Sequence, residues 1–220
     1  NQALTSAGYK NLSEYRQKMI KQIQYANFLL DYIDDHFDDV FNDYYQQCAP
    51  KYVSLIKISV SDTSSPTDDE TSKLNEVKEL ISNTDKSFGD IAQDYSNDST
   101  SSKKGSLGIV DSKDTSGIAN SYGKDVFNAI EALSEGQVSD VITGDNGYYF
   151  VKVTSTDKKT LKKELKKTDI DSPLLAYDDY LQYVVYNSYK INYKDKDIKK
   201  IVQEVVNKAL EERKTERGEA

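Results

Sequence analysis

Residues that could carry acid–base, nucleophilic or metal chemistry are scarce in this chain, and the scarcity narrows the reactions open to it. The single histidine, His36, lies in an acidic helical stretch, IDDHFDDVF. A Ser-His-Asp or Cys-His site would have to use it, and a multi-histidine metal site cannot be assembled. The single cysteine, Cys48, excludes an intrachain disulfide and a cysteine-rich zinc site. No Walker-type or Rossmann-type glycine loop is present. Most hydrolase, nucleotide and metal chemistries drop out, so no metal and no cofactor is expected. His36 is expected at the surface, and Cys48 as a buried or half-buried small residue.

At 220 residues the chain can hold one large or two small domains, each with its own core. Charged residues make up 30% and mean hydropathy is −0.72, which fits a soluble protein with modest cores and much solvated helix surface. The net charge of −8 argues against nucleic acid as a partner, because phosphate neutralisation draws on basic residues. No apolar run approaches the roughly 20 residues of a membrane span. No signal peptide opens the chain, so targeting segments are expected to have been removed or never to have existed.

The elements that would position a site can be read from periodicity. Two extended segments, residues 138–143 and 148–154, flank Gly144-Asp145-Asn146-Gly147, whose glycines and Asx residues suit a tight hairpin with positive φ angles. The second segment is apolar on both faces and reads as a central strand. Upstream, Asn11-Leu12-Ser13-Glu14 resembles a capping box, with Glu14 reaching the Asn11 amide. Apolar residues from Leu12 to Ile33, at three- and four-residue steps, give a helix of about six turns. A shorter helix carrying Phe37, Phe41 and Tyr44 ends at Pro50. Residues 52–60 read as a strand. Thr67-Asp68-Asp69-Glu70 is a second capping box, ahead of a helix with Leu74 and Val77, and a short helix follows from Ser87.

Residues 96–104 read as a flexible polar loop, 105–110 as a strand and 125–133 as a helix. Beyond the hairpin, Ser172-Pro173 opens a helix expected to run through Val185. Ile198 to Ala209 form a last helix, with a frayed tail after it. Residues 51–155 therefore read β-α-α-β-α-β-β, an α+β unit. The economical arrangement has two helical flanks sharing one core, with this unit inserted between them.

Four segments narrow the choice among α+β folds: FGDIAQDYSNDS from Phe88, GSLGIV from Gly105, LSEGQVSD from Leu133 and NGYYFVKV from Asn146. Together they resemble the parvulin family of peptidyl-prolyl isomerases, whose patterns F-x-x-L-A-x-x-Y-S-x-D, G-G-D-L-G, L-x-x-G-x-V-S-x-P-V and G-Y-H-I-I-K-V occur in the same order. The resemblance implies a four-stranded antiparallel sheet with surrounding helices over residues 51–155. AGYKNLSEYRQKMIKQ before it and YKINYKDKDIKKIV after it are similar to the PrsA-type extracytoplasmic foldases of Gram-positive bacteria. That implies a discontinuous helical, chaperone-like domain from residues 1–50 and 156–220.

The implied function is to assist folding of exported proteins by X-Pro cis/trans isomerisation and chaperone-type binding. The implied partners are unfolded or partly folded exported polypeptides that contain X-Pro bonds, and a homodimer is left open. The implied location is the outer face of the cell membrane, held by a lipid anchor on an N-terminal cysteine that this sequence does not contain. An N-terminally truncated segment is therefore expected.

The same resemblance places the acidic position of the family's active-site loop on Asp98. Its pocket leucine falls on Leu107, with Ser106 where the family has Asp. The pocket's methionine and phenylalanine positions fall near Tyr122 and near Val126 or Phe127. A small polar position ahead of the last strand falls on Asn146. Both family histidines are replaced, by Leu55 in the first strand and by Tyr149 in the last. An apolar group stands for one and a phenol with a single donor for the other, so Asp98 loses its usual neighbours unless the Tyr149 hydroxyl reaches it. Asp98 and Tyr149 are thus the candidate catalytic residues, and Leu55, Leu107, Tyr122, Val126, Phe127 and Asn146 the candidate substrate-binding ones.

Each also has a plainer reading. Asp98 would serve as a turn residue, Tyr149 as a core aromatic and Leu107 as a strand residue. The lysines between 158 and 167 would form a solvated face rather than meet an anionic surface. The apolar stripes of the flanking helices read as core. Tyr15, Tyr25, Tyr44, Tyr45, Tyr177, Tyr180, Tyr183 and Tyr186 nevertheless give those flanks more aromatic area than a narrow stripe needs, which suits a cradle for unfolded segments. The alternative to a working isomerase is a catalytically weak or inactive holdase on a parvulin scaffold.

Overall fold

A computed structural model describes residues 2–165, 172–177 and 192–218. In chain order its elements begin α1 (Gln2–Ser6), α2 (Leu12–Asp35), α3 (Phe37–Cys48), β1 (Lys51–Ser59), α4 (Asp68–Asn83), α5 (Phe88–Tyr95) and β2 (Ser106–Val110). They continue α6 (Ile118–Tyr122), α7 (Lys124–Ala132), β3 (Ile142–Gly144), β4 (Gly147–Ser155), α8 (Lys158–Leu165), α9 (Pro173–Ala176) and α10 (Lys196–Glu216). The chain divides into two units, one of Asn1–Gln47 with Thr168–Ala220 and one of Cys48–Lys167.

The second unit is built on an antiparallel four-stranded sheet in the order β2-β1-β4-β3. β1 and β4 are apolar on both faces and take the two central places, where helices cover each face. Strand alternation sorts their side chains. Val53 and Leu55 of β1 and Tyr149 and Val151 of β4 point to one face, where Ile118, Val126 and Ile130 of α6 and α7 close a core. Ile56, Ile58 and Phe150 point to the other, under α4 and α5. Each fully buried Leu, Ile or Phe contributes roughly 1.5–3 kcal/mol, so the sheet is held from both sides.

Local chemistry sets the ends of these helices. Thr67 and Glu70 form the capping box at α4, and the Ser87 side chain caps α5. At the far end of α7 the Lys51 ammonium donates to the carbonyls of Ile130, Glu131 and Leu133, at 2.9, 2.6 and 3.1 Å. A cation suits the negative end of a helix, and this one ties α7 to the start of β1. α8 buries Leu161 and Leu165 and leaves Lys158, Lys159 and Lys163 exposed.

Three features of this unit differ from the sequence reading. The hairpin is tighter: β3 is three residues long, and Val138 makes only an isolated bridge to Lys152. Asp145 and Asn146 form a two-residue turn, and none of residues 144–147 has a positive φ. Room, not φ, demands the glycines. A Cβ on Gly144 would lie 2.6 Å from Tyr149 Cε2, and one on Gly147 would lie 2.5 Å from the Ile58 carbonyl oxygen. Residues 96–104 are structured, because Asp98 accepts the Thr100 amide and caps a 3₁₀ turn, Ser99–Lys103. Finally, α6 was not anticipated, since five residues are too few to show a period.

In the first unit, α2 and α3 meet at His36, which is exposed with its ring 4.4 Å from that of Tyr32. Asn11 caps α2 through the Glu14 amide, but the Glu14 carboxylate takes the Lys10 amide rather than that of Asn11. Phe41 and Tyr44 are fully buried, as is Cys48 at the end of α3. Tyr44 packs edge-on against Tyr177 at 5.4 Å, and Asp43 accepts from the Tyr177 hydroxyl at 2.6 Å and from the Arg217 guanidinium. That ion pair pins the end of α10, where a frayed tail was expected.

α9 stops at Ala176, short of the expected length. The rest of the expected helix, with Leu181, Val184 and Val185, lies outside the described residues, as do Tyr180, Tyr183 and Tyr186. The apolar stripes of the long helices are mostly not core. α2 buries Leu29 and Ile33 alone and α10 buries no residue, while Ile23, Phe28, Ile201 and Val205 are 52% to 64% exposed. Among the described residues no helix is long and apolar enough to cross a membrane.

Candidate active site

Residues 96–98 are stitched to β1. Ser96 Oγ accepts the Lys57 amide at 3.0 Å and the Asp98 amide at 3.2 Å. The Asn97 amide donates to the Lys57 carbonyl at 2.8 Å, and Asn97 Oδ1 accepts the Ser59 amide at 3.1 Å. β2 pairs with β1 only as far as Ser54, so these bonds occupy the edge that β2 leaves open. They hold Asp98 half-buried beside it. Asp98 Oδ1 accepts the Thr100 amide at 2.9 Å, the Thr100 hydroxyl at 2.6 Å and, more distantly, the Tyr122 hydroxyl at 3.5 Å. Oδ2 takes no hydrogen bond among the described residues.

Tyr149 does not reach Asp98. Its hydroxyl donates to Asn146 Oδ1 at 2.8 Å, because the two-residue turn folds Asn146 back along the strand that carries Tyr149. The phenol next to Asp98 is Tyr122, whose ring stands edge-on to that of Tyr149 at 6.2 Å. Burial, then the charge of Asp98, push the Tyr122 phenol up to about 12. Burial first, with Asp98 and Asp145 adding, raises Tyr149 as well. Both phenols therefore stay protonated at neutral pH and can donate.

Between the α6–α7 pair and the β3–β4 hairpin lies a cleft of about 410 Å³, whose lining includes Tyr122, Val126, Ile142, Asn146 and Tyr149. Leu55, fully buried opposite Val151, packs in the core beneath it, and half-buried Leu107 and Phe127 pack against that same core. Of the two neighbouring candidates on α7, Val126 meets the cleft and Phe127 supports it. Four candidates thus line the cleft, three underlie it, and Asp98 joins them through the Tyr122 hydroxyl.

Sequence reasoning missed Lys57. It pairs across the strands with Tyr149, and its ammonium sits 5.7 Å from the centre of that ring. The signal was available: Lys57 is two residues beyond Leu55 on a strand, so the two share a face. The arrangement offers two phenolic hydroxyls, a carboxylate and a cation around a cleft whose exposed lining is mostly polar, with Leu55 and Leu107 packed beneath it. It can hold and polarise an amide without forming a covalent bond. At the Leu55 position no polar atom remains to take part.

Residues 55–155 match the rotamase family described as the PPIC-type PPIASE domain. The foldase protein PrsA of Staphylococcus epidermidis and that of Staphylococcus aureus are each 32% identical over 141 residues, covering 61% of this chain and 41% of theirs. The chain spans about two fifths of the length of these curated relatives. Crystal structures of PrsA from Bacillus subtilis (21% identical, TM-score 0.46) and Streptococcus pneumoniae (23%, 0.38) are also similar. The first covers 83% of this chain and 68% of its own, the second 91% and 73%. The matched residues hold most of the sheet, the helices on both its faces and all four sequence segments. Over residues 55–155 the sequence thus matches the PPIC-type peptidyl-prolyl isomerase domain.

Proposed function

We propose that this chain is part of a PrsA-like foldase, which speeds X-Pro cis/trans isomerisation in the cleft of residues 51–155 and holds unfolded segments on its helical flanks. Rotation about a peptide bond faces a barrier of about 18–20 kcal/mol. The uncatalysed X-Pro step takes roughly 10–100 s, long enough to limit folding. Catalysis needs no nucleophile. Val126 and Ile142, the apolar part of an otherwise mostly polar lining, take the proline ring, with Leu55 and Leu107 packed beneath. Polar groups at the rim then favour the twisted amide, which has lost its conjugation. Each 1.36 kcal/mol of such preference is about tenfold in rate.

The observation that carries this reading is the convergence at one cleft of the Asn146–Tyr149 pair and of Tyr122, which is bonded to Asp98. The substrates would be unfolded or partly folded exported polypeptides, met at the outer face of a Gram-positive cell membrane where a lipid anchor on the longer protein would hold it. Leu55 favours a second reading, a holdase that has lost catalysis, since no polar group remains at that position. Cis-to-trans isomerisation of an X-Pro peptide by the wild-type chain separates the two. A rate above the uncatalysed one is expected, and a rate equal to it would sink the enzyme reading.

A further inference from the structure

The face of the sheet opposite Leu55 and Tyr149 is only half covered. Where α4 and α5 lie, it is apolar, with Ile56, Ile58 and Phe150. Past the start of α5 it turns polar. The register sets Ser106, Ser54 and Lys152 in one row across β2, β1 and β4, and Tyr52 and Thr154 flank that row. Lys103 of the 3₁₀ turn and Lys104 after it, with Ser87, Phe88 and Gly89, wall the row into a groove of about 350 Å³.

The chemistry of this lining runs against that of the chain. Acidic residues outnumber basic ones overall, 37 to 29. Yet three of the ten lining residues are lysines and none is acidic. Lys104 is engaged by Asp90 at 2.8 Å. Lys103 and Lys152 have no carboxylate within ion-pair distance among the described residues. The Ser106 hydroxyl, which donates to the Tyr52 hydroxyl at 2.9 Å, and Ser54 line the same groove. Two lysines without ion-pair partners among the described residues, in one groove with the Ser54 and Ser106 hydroxyls, suit a compact oxyanion, because charge-assisted bonds to such a group are short and strong.

We propose that this groove binds a phosphate group, either as the free anion or as a phosphate ester such as a lipid headgroup. The site lies on the sheet face away from the isomerase cleft, so both can be occupied together.

The test is a titration of the whole chain, followed by amide NMR shifts, with sodium phosphate, glycerol phosphate and sodium chloride at one ionic strength. Vesicles with and without phosphatidylglycerol form a further arm. Saturable shifts confined to Lys103, Ser106, Lys152 and their neighbours are expected with a phosphate compound and not with chloride. Saturation by inorganic phosphate identifies the free anion. Saturation only by glycerol phosphate, with retention on phosphatidylglycerol vesicles, identifies the ester. Lys103→Glu, at an exposed position that folding does not depend on, should weaken binding about tenfold or more. Lys152→Glu should do the same, and Lys199→Glu on α10 should not. Equal shifts with chloride, shifts that never saturate, or undiminished binding by Lys103→Glu would overturn the assignment.

Discussion

Asp98 puts a structural bond and a negative charge through one carboxylate: Oδ1 caps the 3₁₀ turn at Thr100, while Oδ2 takes no hydrogen bond among the described residues. Two substitutions separate the roles. Asp98→Asn keeps an acceptor for the Thr100 amide, since Asn caps as well as Asp, but removes the charge. It should leave thermal stability close to wild type and lower kcat/KM for an X-Pro peptide at least about tenfold. Asp98→Ala should lose the same activity and also roughly 1 kcal/mol of stability with the cap. Full activity in Asp98→Asn would show that the charge is not used.

Tyr122 gives a second residue-scale prediction, on pH. Its phenol ionises near 10 when the chain is unfolded and near about 12 when folded. Between those values the unfolded chain gives up its proton first, so the folded state loses stability as pH rises from about 10 to about 12. Below about 10 both states are protonated and the phenol contributes nothing to the pH dependence. Urea midpoints of wild type should therefore fall across that window. Tyr122→Phe should fall less steeply, and parallel curves would place the titration elsewhere.

Elements bring these residues together through close approaches that a sequence pattern does not display. Gly144 and Gly147 look like glycines of a left-handed turn, yet each is required by a neighbour. At Gly147 that neighbour is the Ile58 carbonyl, backbone of a central strand that cannot give way. Gly147→Ala should cost roughly 1–3 kcal/mol, the range for overpacking, and lower Tm by several degrees. At Gly144 the neighbour is the edge of the buried Tyr149 ring, a side chain that yields by a small shift more readily than strand backbone does. Gly144→Ala should therefore cost less stability but displace the phenol from Asn146, so that activity falls while Tm barely moves. Equal Tm losses in the two variants would contradict this ranking.

Legibility followed the same division. The β1 and β4 strands, the capping box ahead of α4 and a break between α2 and α3, expected at Asp34-Asp35 and found at His36, were readable, because each is set by neighbours in sequence. The ordered turn after Asp98, the Tyr149–Asn146 bond and the place of Lys57 were not, because each depends on which strand lies alongside.

For the whole molecule, the exposed faces of α2 and α10 set the last expectation. A stripe at helical spacing normally marks the side that packs. Here Ile23, Phe28, Ile201 and Val205 remain more than half exposed, all within the unit formed by the two chain ends. If they serve to hold unfolded chains, their worth lies in binding and not in folding. Surface substitutions away from packed or capped positions stay within about 0.5 kcal/mol each. A variant with Gln at all four positions, which keeps helix propensity, should thus retain Tm to within a few degrees. Its isomerase rate should match wild type, since none of the four belongs to the unit that carries the cleft. What it should lose is suppression of aggregation of an unfolded client, measured by light scattering at equal protein concentration. Loss of suppression together with a large fall in Tm would mean that these side chains pack after all. Undiminished suppression at an unchanged Tm would move the holding surface away from α2 and α10.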